Sequence, residues 1–506
     1  MIKCALLIEV ASIQQYIFSS NKLKENVGAS YIIEHMLFSK DGIMHDVICD
    51  LYKCQDFNLD EWNIDNDAKQ CSVGYIGGGN ALLFFDDHHK VKEFMTEFSK
   101  RCLVQFPSLK LVYGFNEKFD TETMNYQSEF KKLAQNLQQN KSCFLPLTTI
   151  PKHGITADCP WSNETAEFSY EDLYISSTTK AKLVANHIAS GKLEQYFQVD
   201  EQYCFSNEIE KLGQKKEGSY IAVIHIDGNG MGNIFSSIHT LPLLRAKSQA
   251  VNQKALSAMR KLIGYIIERH KKNDLDELQL KCEDGKTILP IRPILLGGDD
   301  ITFITEGRIG FHLAEKFIGF FYDKEEQEKG RDSSEKLMNG ACAGVAIVKS
   351  HFPFYKAVKL AEELCTEAKN MTRQLKDTRR NCFISYYYSS TTFSGTLKNL
   401  RKRTHFTPNG NCYSGPFLLF DDTAINSVKQ LKMLIIEFKK NKEKWPQNKL
   451  MQLRELIPAT AGEHLLFEKE MKEKEEFDLH IWEKGITSYF DPIELMEFYP
   501  EKLLNK

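Results

Sequence analysis

At 506 residues the chain is long enough for roughly two to four domains, and its 42% hydrophobic and 26% charged residues are those of an ordinary globular protein. A formal net charge of -3 excludes a whole-molecule basic footprint for nucleic acid, so any grip on polyphosphate must come from local clusters or bound metal. No stretch is apolar for long enough to span a bilayer and the opening MIKCALLIEV lacks a signal-peptide pattern. The expected location is therefore the cytoplasm, with the thirteen cysteines, which show no paired spacing, reduced.

In chain order, CALLIEVASIQQYIF (residues 4–18) is an apolar strand breaking into a turn and helix. A helical stretch near Tyr31 follows, then YIGGGNALLFF from Tyr75, whose glycine-rich turn between apolar runs reads as a hairpin. A helix over 91–102 and a strand over 109–115 complete this part. Residues 140–216, with Pro146, Pro151 and Pro160 and helical stretches after Thr178, read as a small connecting domain. Within it Cys159 stands where a zinc ribbon would begin, but Ser162 replaces the second cysteine, so a zinc site and a plain thiol both fit.

The opening pattern then returns. IAVIHIDGNGMGNIF (221–235) aligns without a gap on residues 4–18 at an offset of 217, and LLGGDDITFIT from Leu295 aligns on the first hairpin at an offset of 220. A long helical stretch at 244–270 separates them; a helix near 311–322, a charge-rich insertion over 322–335 and a strand at 341–348 follow. Both copies read β-α-β-β-α-β. Beyond them Lys398, Arg401, Lys402, Arg403 and His405 form a basic cluster, read as a contact for RNA or a nucleotide tail or as a solvated loop. Val428, Leu431, Leu434, Ile435 and Phe438 then recur at helical spacing. The expected fold class is α+β: two ferredoxin-like palm domains, at 1–139 and 217–420, a connecting domain at 140–216 and a helical C-terminal domain at 421–506.

The second copy carries the chemistry. Asp227 closes an otherwise apolar strand, and Asp299 and Asp300 sit in the hairpin turn. In a βαββαβ sheet these strands are neighbours, so three carboxylates would converge, which is unfavourable without cations or protons. Hard oxygen ligands of this kind suit Mg²⁺ or Mn²⁺ holding substrate phosphates. Gly297 and Gly298 allow a tight turn and a close ligand approach. Gly228, Asn229, Gly230 and Gly232, following Asp227, read as a nest of amides for a triphosphate. At the same offsets the first copy has Val10, Gly79 and Asn80, so its acids are gone while its apolar scaffold remains.

At GGDD (297–300), DGNGMG (from Asp227), GVAIVKSHFPFYKAVKLAEELCTEAK (344–369) and SIQQYIF…LKENVGAS (12–30) the chain resembles the large palm-domain subunit of type III CRISPR effector complexes, the Cas-ten family of cyclic oligoadenylate synthases. The resemblance covers most of residues 1–390 and implies that Asp227 and Asp299 hold two divalent ions, with Asp300 assisting. It also implies that Lys369 contacts the triphosphate of ATP, where an exposed helix lysine is the plain alternative. Effector subunits and guide or target RNA are its implied partners, and the helical tail its implied subunit contact. The chain departs from the family in opening almost directly on the palm motif: His45-Asp46 lacks the further histidines and acids of an HD nuclease and reads as a helix-surface pair. Two rivals stand beside this reading. One is a GTP-using GGDEF-like cyclase, against which Asp300 and Ile301 replace that motif's glutamate and phenylalanine; the other is a non-catalytic scaffold of a ribonucleoprotein.

Overall fold

A computed structural model describes residues 2–53, 70–121, 126–143, 154–212, 219–322, 340–375, 382–391, 395–421, 424, 426–475, 481–482 and 485–504. The chain is mixed α+β and falls into two compact units. The first comprises Met1–Gln198, Gly230–Ser257 and Ile294–Ile301; the second comprises Val199–Asn229, Ala258–Pro293 and Thr302–Lys506. Pro146, Pro151 and the insertion after Tyr322 lie outside the described residues.

In the first unit β1 (Ile2–Val10), β2 (Cys71–Gly77), β3 (Asn80–Phe85) and β4 (Leu111–Asp120) form a sheet of order β2-β3-β1-β4. β1 runs antiparallel to both its neighbours. It is buried on both faces, which is why it reads as an unbroken apolar run and not as an alternating strand. Helix α1 (Leu23–Tyr31) leads into a π-helical turn, Ile32–Leu37. Helix α2 (His88–Gln105) packs on one side of the sheet through Phe94, 5.6 Å ring to ring from Phe85. Its first turn is capped by Asp87, whose side chain accepts from the His89 N–H at 2.6 Å, a cap worth about 1 kcal/mol. Leu133 and Leu137 of α3 (Tyr126–Cys143) join Leu7, Phe84, Val112 and Phe119 in a second layer of core. Helix α4 (Ser177–Ala189), capped by Ser176, crosses α1 at Gly28, where a Cβ would stand 1.8 Å from the Lys182 carbonyl oxygen. Only glycine permits that approach.

The larger sheet contains β5 (Tyr220–Gly228), β6 (Ile291–Gly297), β7 (Asp300–Glu306), β8 (Ala341–Lys349), β9 (Phe383–Ser389) and β10 (Phe417–Leu418) in the order β6-β7-β5-β8-β9-β10. Its first four strands repeat the order of the smaller sheet, and β9 and β10 extend it. The long helix α5 (Leu241–Lys271) separates β5 from β6. Because β9 runs parallel to β8, a crossover is required, and α7 (Phe354–Gln374) supplies it. Both α6 (Gly310–Phe321) and α7 pack on β5 and β8. The α7 contact is closest at Gly344, where a Cβ would meet the Ala361 carbonyl oxygen at 1.9 Å.

The basic cluster is not the loop of one of its sequence readings, and only Lys398, Lys402 and Arg403 of it are exposed. It forms helix α8 (Leu397–Thr404), and Arg401 and His405 are buried. The Arg401 guanidinium donates to Tyr386 O at 2.7 Å and to Glu367 at 3.0 Å, and stacks on Tyr413. The carboxylate that draws Arg401 inward comes from a segment 34 positions away. Helix α9 (Val428–Lys440), Gln447–Leu456 and Ala461–Glu475 follow, with Phe438, Trp445, Leu450 and Leu453 at the centre of their core. Asp491 is buried and ties this tail to β9 by accepting from the Tyr386 hydroxyl at 2.7 Å. No helix among the described residues is long and apolar enough to cross a membrane.

Candidate active site

The site residues expected from the sequence divide between the two units. In the second unit Asp227 lies within β5, opposite Cys342 of β8. Its carboxylate forms an ion pair with the Lys369 ammonium of α7, so this corner already holds a cation. Lys369 is 18% exposed and is no free surface lysine. His225, two residues before Asp227 and therefore on the same face of the strand, is buried with Nδ1 3.1 Å from Thr302 Oγ1. Burial pushes its imidazole down to about 4 against the opposing pull of Asp227, so it is neutral at physiological pH. Gly228 and Asn229 are buried; Asn229 donates from its backbone to Gly340 O at 2.8 Å and from Nδ2 to Cys342 Sγ at 3.4 Å. These bonds clamp the end of β5 to the start of β8.

The glycine turn and its acids lie in the first unit. Gly298 adopts φ 77°, a left-handed conformation that a side chain would strain, and a Cβ there would also approach Asn252 Oδ1 to 3.1 Å. A cavity of about 630 Å³ opens against both glycine turns, with Gly77 and Gly78 from the first copy and Gly297, Gly298 and Asp299 from the second. Tyr75, Phe130 and Phe235 give it aromatic walls, and Ser248 and Asn252, one turn apart on α5, face it with polar groups. A second cavity of about 440 Å³ is lined by Glu34, His35, Tyr196, Asp299 and Asp300. Asp300 accepts from Gln14 Nε2 at 3.2 Å, and the Leu296 N–H just before the turn donates to Glu34 at 2.9 Å. Gly230 (φ 73°) and Gly232 are exposed, at the start of a six-residue helix, Met231–Ser236.

A family model described as the second palm domain of Cas10/Cmr2 matches residues 220–378, the span from β5 through α7 that contains Asp227, the GGDD turn and Lys369. Over these residues the chain is similar to that second palm domain. Among solved structures, the Csm1–Csm4 cassette in complex with pppApApA is similar at 14% identity and a TM-score of 0.51, with 98% of this chain and 69% of that chain covered. Csm1 in T. onnurineus is similar at 13% identity and a TM-score of 0.50, with 98% and 69% covered. The Csm1–Csm4 cassette in complex with one ATP gives 13% identity, a TM-score of 0.50, and 98% and 70% coverage. At such identities these likenesses establish the fold. No curated protein matches the chain.

The expected site residues form two separate groups, one in each unit. Asp227 and Lys369, 142 positions apart, are in contact; Gly297, Gly298 and Asp299 share one cavity wall. Sequence reasoning missed Gln14, Glu34, His225, Ser248 and Asn252. Gln14 stood inside the quoted SIQQYIF repeat, but the repeat was read for its apolar residues. His45 and Asp46 lie on helix Ile43–Tyr52 with Nδ1 and Oδ1 3.7 Å apart. Cys159 is buried with Sγ 3.5 Å from Thr179 Oγ1. Burial raises its thiol, but hydrogen bonds from Ser162 and Thr179 outweigh that and bring it down to about 7. None of the described cysteines is in a disulfide. One cluster of potential metal ligands found among the described residues, Asp87, His88 and His89, lies on the surface at the start of α2.

Proposed function

We propose that this chain is a metal-dependent nucleotidyltransferase that makes cyclic oligoadenylate, or a related cyclic nucleotide, from ATP in CRISPR-type antiviral signalling. The observation that carries the reading is the second-palm match over residues 220–378, which takes in the three aspartates and Lys369 together. The cavity of about 630 Å³ supports it, being of a size that suits a nucleotide. So do the similar Csm1–Csm4 cassettes, which are in complex with ATP and with pppApApA; Csm4 names the class of effector subunit expected as partner, beside guide or target RNA. Within this reading residues 1–139 and 217–420 are the two ferredoxin-like palms, 140–216 the connector and 421–506 the helical tail.

Asp227, Asp299 and Asp300 are hard oxygen donors of the kind that suit Mg²⁺ or Mn²⁺, and the Lys369 ammonium against Asp227 supports a cation site at that residue. When bound, the metal supplies acidification of the ribose hydroxyl and neutralises charge on the α-phosphate and departing pyrophosphate. Lys369, released from Asp227, turns to the triphosphate. Gly297 and Gly298 let the substrate approach the backbone, Ser248 and Asn252 offer hydrogen bonds, and the aromatic walls exclude water. No protein base is assigned.

The test is incubation of the purified protein, alone and with activating RNA and partner subunits, with each labelled nucleoside triphosphate and Mg²⁺ or Mn²⁺. Products are resolved by mass beside an Asp299→Ala, Asp300→Ala control. ATP consumption to cyclic products, lost in the double variant, is expected. Undiminished turnover in that variant would refute the site, turnover of GTP alone would favour the GGDEF-like rival, and inactivity throughout would favour the scaffold.

A further inference from the structure

We propose that Glu34 is a positioning residue: the copy that has lost its acids holds the acidic turn of the other copy in place from behind. Strand β6 is at the edge of its sheet, so its outward N–H groups have no strand partner. At Leu296, the last residue before Gly297-Gly298, that outward group donates to Glu34 Oε1 at 2.9 Å. A side-chain oxygen therefore does what a further strand would do, and does it at the one place where β6 enters the turn. The same oxygen also accepts from Ser30 Oγ at 3.1 Å, which fixes the carboxyl group from its own helix.

Three further observations support a role beyond packing. Glu34 sits in the π-helical turn Ile32–Leu37; such turns insert an extra residue, re-aim a side chain, and recur at functional sites. The far end of the same turn is held too, by Gln14 Nε2 on Asp300 at 3.2 Å, so residues of the first copy grip the acidic turn on both sides. Finally, the part of the Glu34 side chain that remains exposed, 21%, lines the cavity of about 440 Å³ together with Asp299 and Asp300. The other groups around it are His35, whose Nε2 is 3.9 Å from Glu34 Oε2, and Tyr196, stacked edge-on to His35. A glycine-rich turn is soft. Fixing both of its flanks holds the aspartates within the fraction of an ångström that metal-assisted chemistry demands.

The activity readout of this inference rests on the nucleotidyltransferase reading; its exchange readout rests only on the hydrogen bond. The experiment compares the full chain with its Glu34→Ala, Glu34→Asp and Glu34→Gln variants, using residue-resolved hydrogen–deuterium exchange at Leu296 and steady-state turnover of ATP under the activating conditions. The Ala variant, and the Asp variant whose shorter side chain cannot reach, should exchange Leu296 at least about tenfold faster. Their kcat should fall about tenfold with KM within about twofold, as for an interaction that acts on the transition state. The Gln variant keeps an acceptor oxygen and should restore both. Unchanged exchange at Leu296 in the Ala and Asp variants, or equal loss in all three, would overturn the proposal. The expected exchange pattern in a protein that turns over no nucleotide would support the hold on the turn and overturn the enzymatic reading instead.

Discussion

Lys369, on α7, reaches the Asp227 carboxylate at the end of β5 and forms an ion pair with it. Both side chains keep some contact with solvent, 18% and 33%, so the pair is worth no more than about 1 kcal/mol. That is weak enough for a divalent ion and a triphosphate to separate. Replacing Lys369 with Met removes the competitor for Asp227 and the expected phosphate contact at once. Calorimetric titration should show Mn²⁺ binding to the nucleotide-free chain tightened by up to about fivefold, and binding of a non-hydrolysable ATP analogue weakened about tenfold. Loss of both affinities together would mean that the lysine only supports the shape of the strand end.

The close packing of α7 on β8 makes a stability prediction. A methyl group at Gly344 would meet two backbone atoms, Ala361 O at 1.9 Å and Cys365 N at 2.4 Å, neither of which can rotate away. Gly344→Ala should therefore cost about 3 kcal/mol, the upper range for overpacking, read as a lowered denaturation midpoint. Gly319, on the exposed side of α6, has nothing within 4 Å of its would-be Cβ. Gly319→Ala should stabilise by about 0.5–1 kcal/mol. Equal behaviour of the two variants would contradict the packing.

Glu34 and His35 give opposed pH dependences. Burial pushes the Glu34 carboxyl up from 4.5 to about 7, so between these values the folded chain holds a proton that the unfolded chain has lost. Its contribution to stability accordingly falls as pH rises through that window. Burial, aided by the charge of Lys192, pushes His35 down from 6.5 to about 4; here the unfolded chain holds the extra proton, and stability rises with pH. In the wild type the two partly cancel. Glu34→Gln removes the first, so the stability of this variant relative to wild type should climb from about pH 4.5 to 7, with a slope of at most about 1.4 kcal/mol per pH unit. Denaturant melts across this range check it, and a flat difference would contradict it.

Arg401 is predicted to act in the core and not on RNA. Its guanidinium is buried against Glu367, Tyr386 O and the Tyr413 ring. Arg401→Ala leaves a carboxylate and a carbonyl without that donor and should cost about 3 kcal/mol or more. The exposed neighbours Lys402 and Arg403 should tolerate Ala within about 0.5 kcal/mol. Thermal melts separate the two outcomes.

Local pattern carried much of this architecture. The apolar runs at β1, β5 and β8 and the two glycine turns were legible because they obey strand periodicity and turn chemistry, and the repeat between them fixed their order. Strand β9 was not seen: FISYYYS lies beyond the repeat, and its pairing with β8 is set by the crossover of α7. Of the proposed site, the sequence singled out the acids and glycines, which have few other uses in such turns. Glu34 and Gln14 were not, because their partners, Leu296 N–H and Asp300, lie 262 and 286 positions away. A polar residue inside an apolar helix looks the same in sequence whether it is a tether or a solvated face. Arg401 failed for the same reason in reverse.

The central claim is that Asp227, Asp299 and Asp300 jointly hold divalent metal over a bound nucleotide. Calorimetric titration of Mn²⁺ into the full chain saturated with a non-hydrolysable ATP analogue tests it most directly, with Asp227→Asn and Asp299→Asn, Asp300→Asn variants alongside. Tight binding of two ions to the wild type, weakened at least about tenfold in each variant while circular dichroism is unchanged, is the predicted result. Equal Mn²⁺ affinity and stoichiometry in wild type and variants would contradict it.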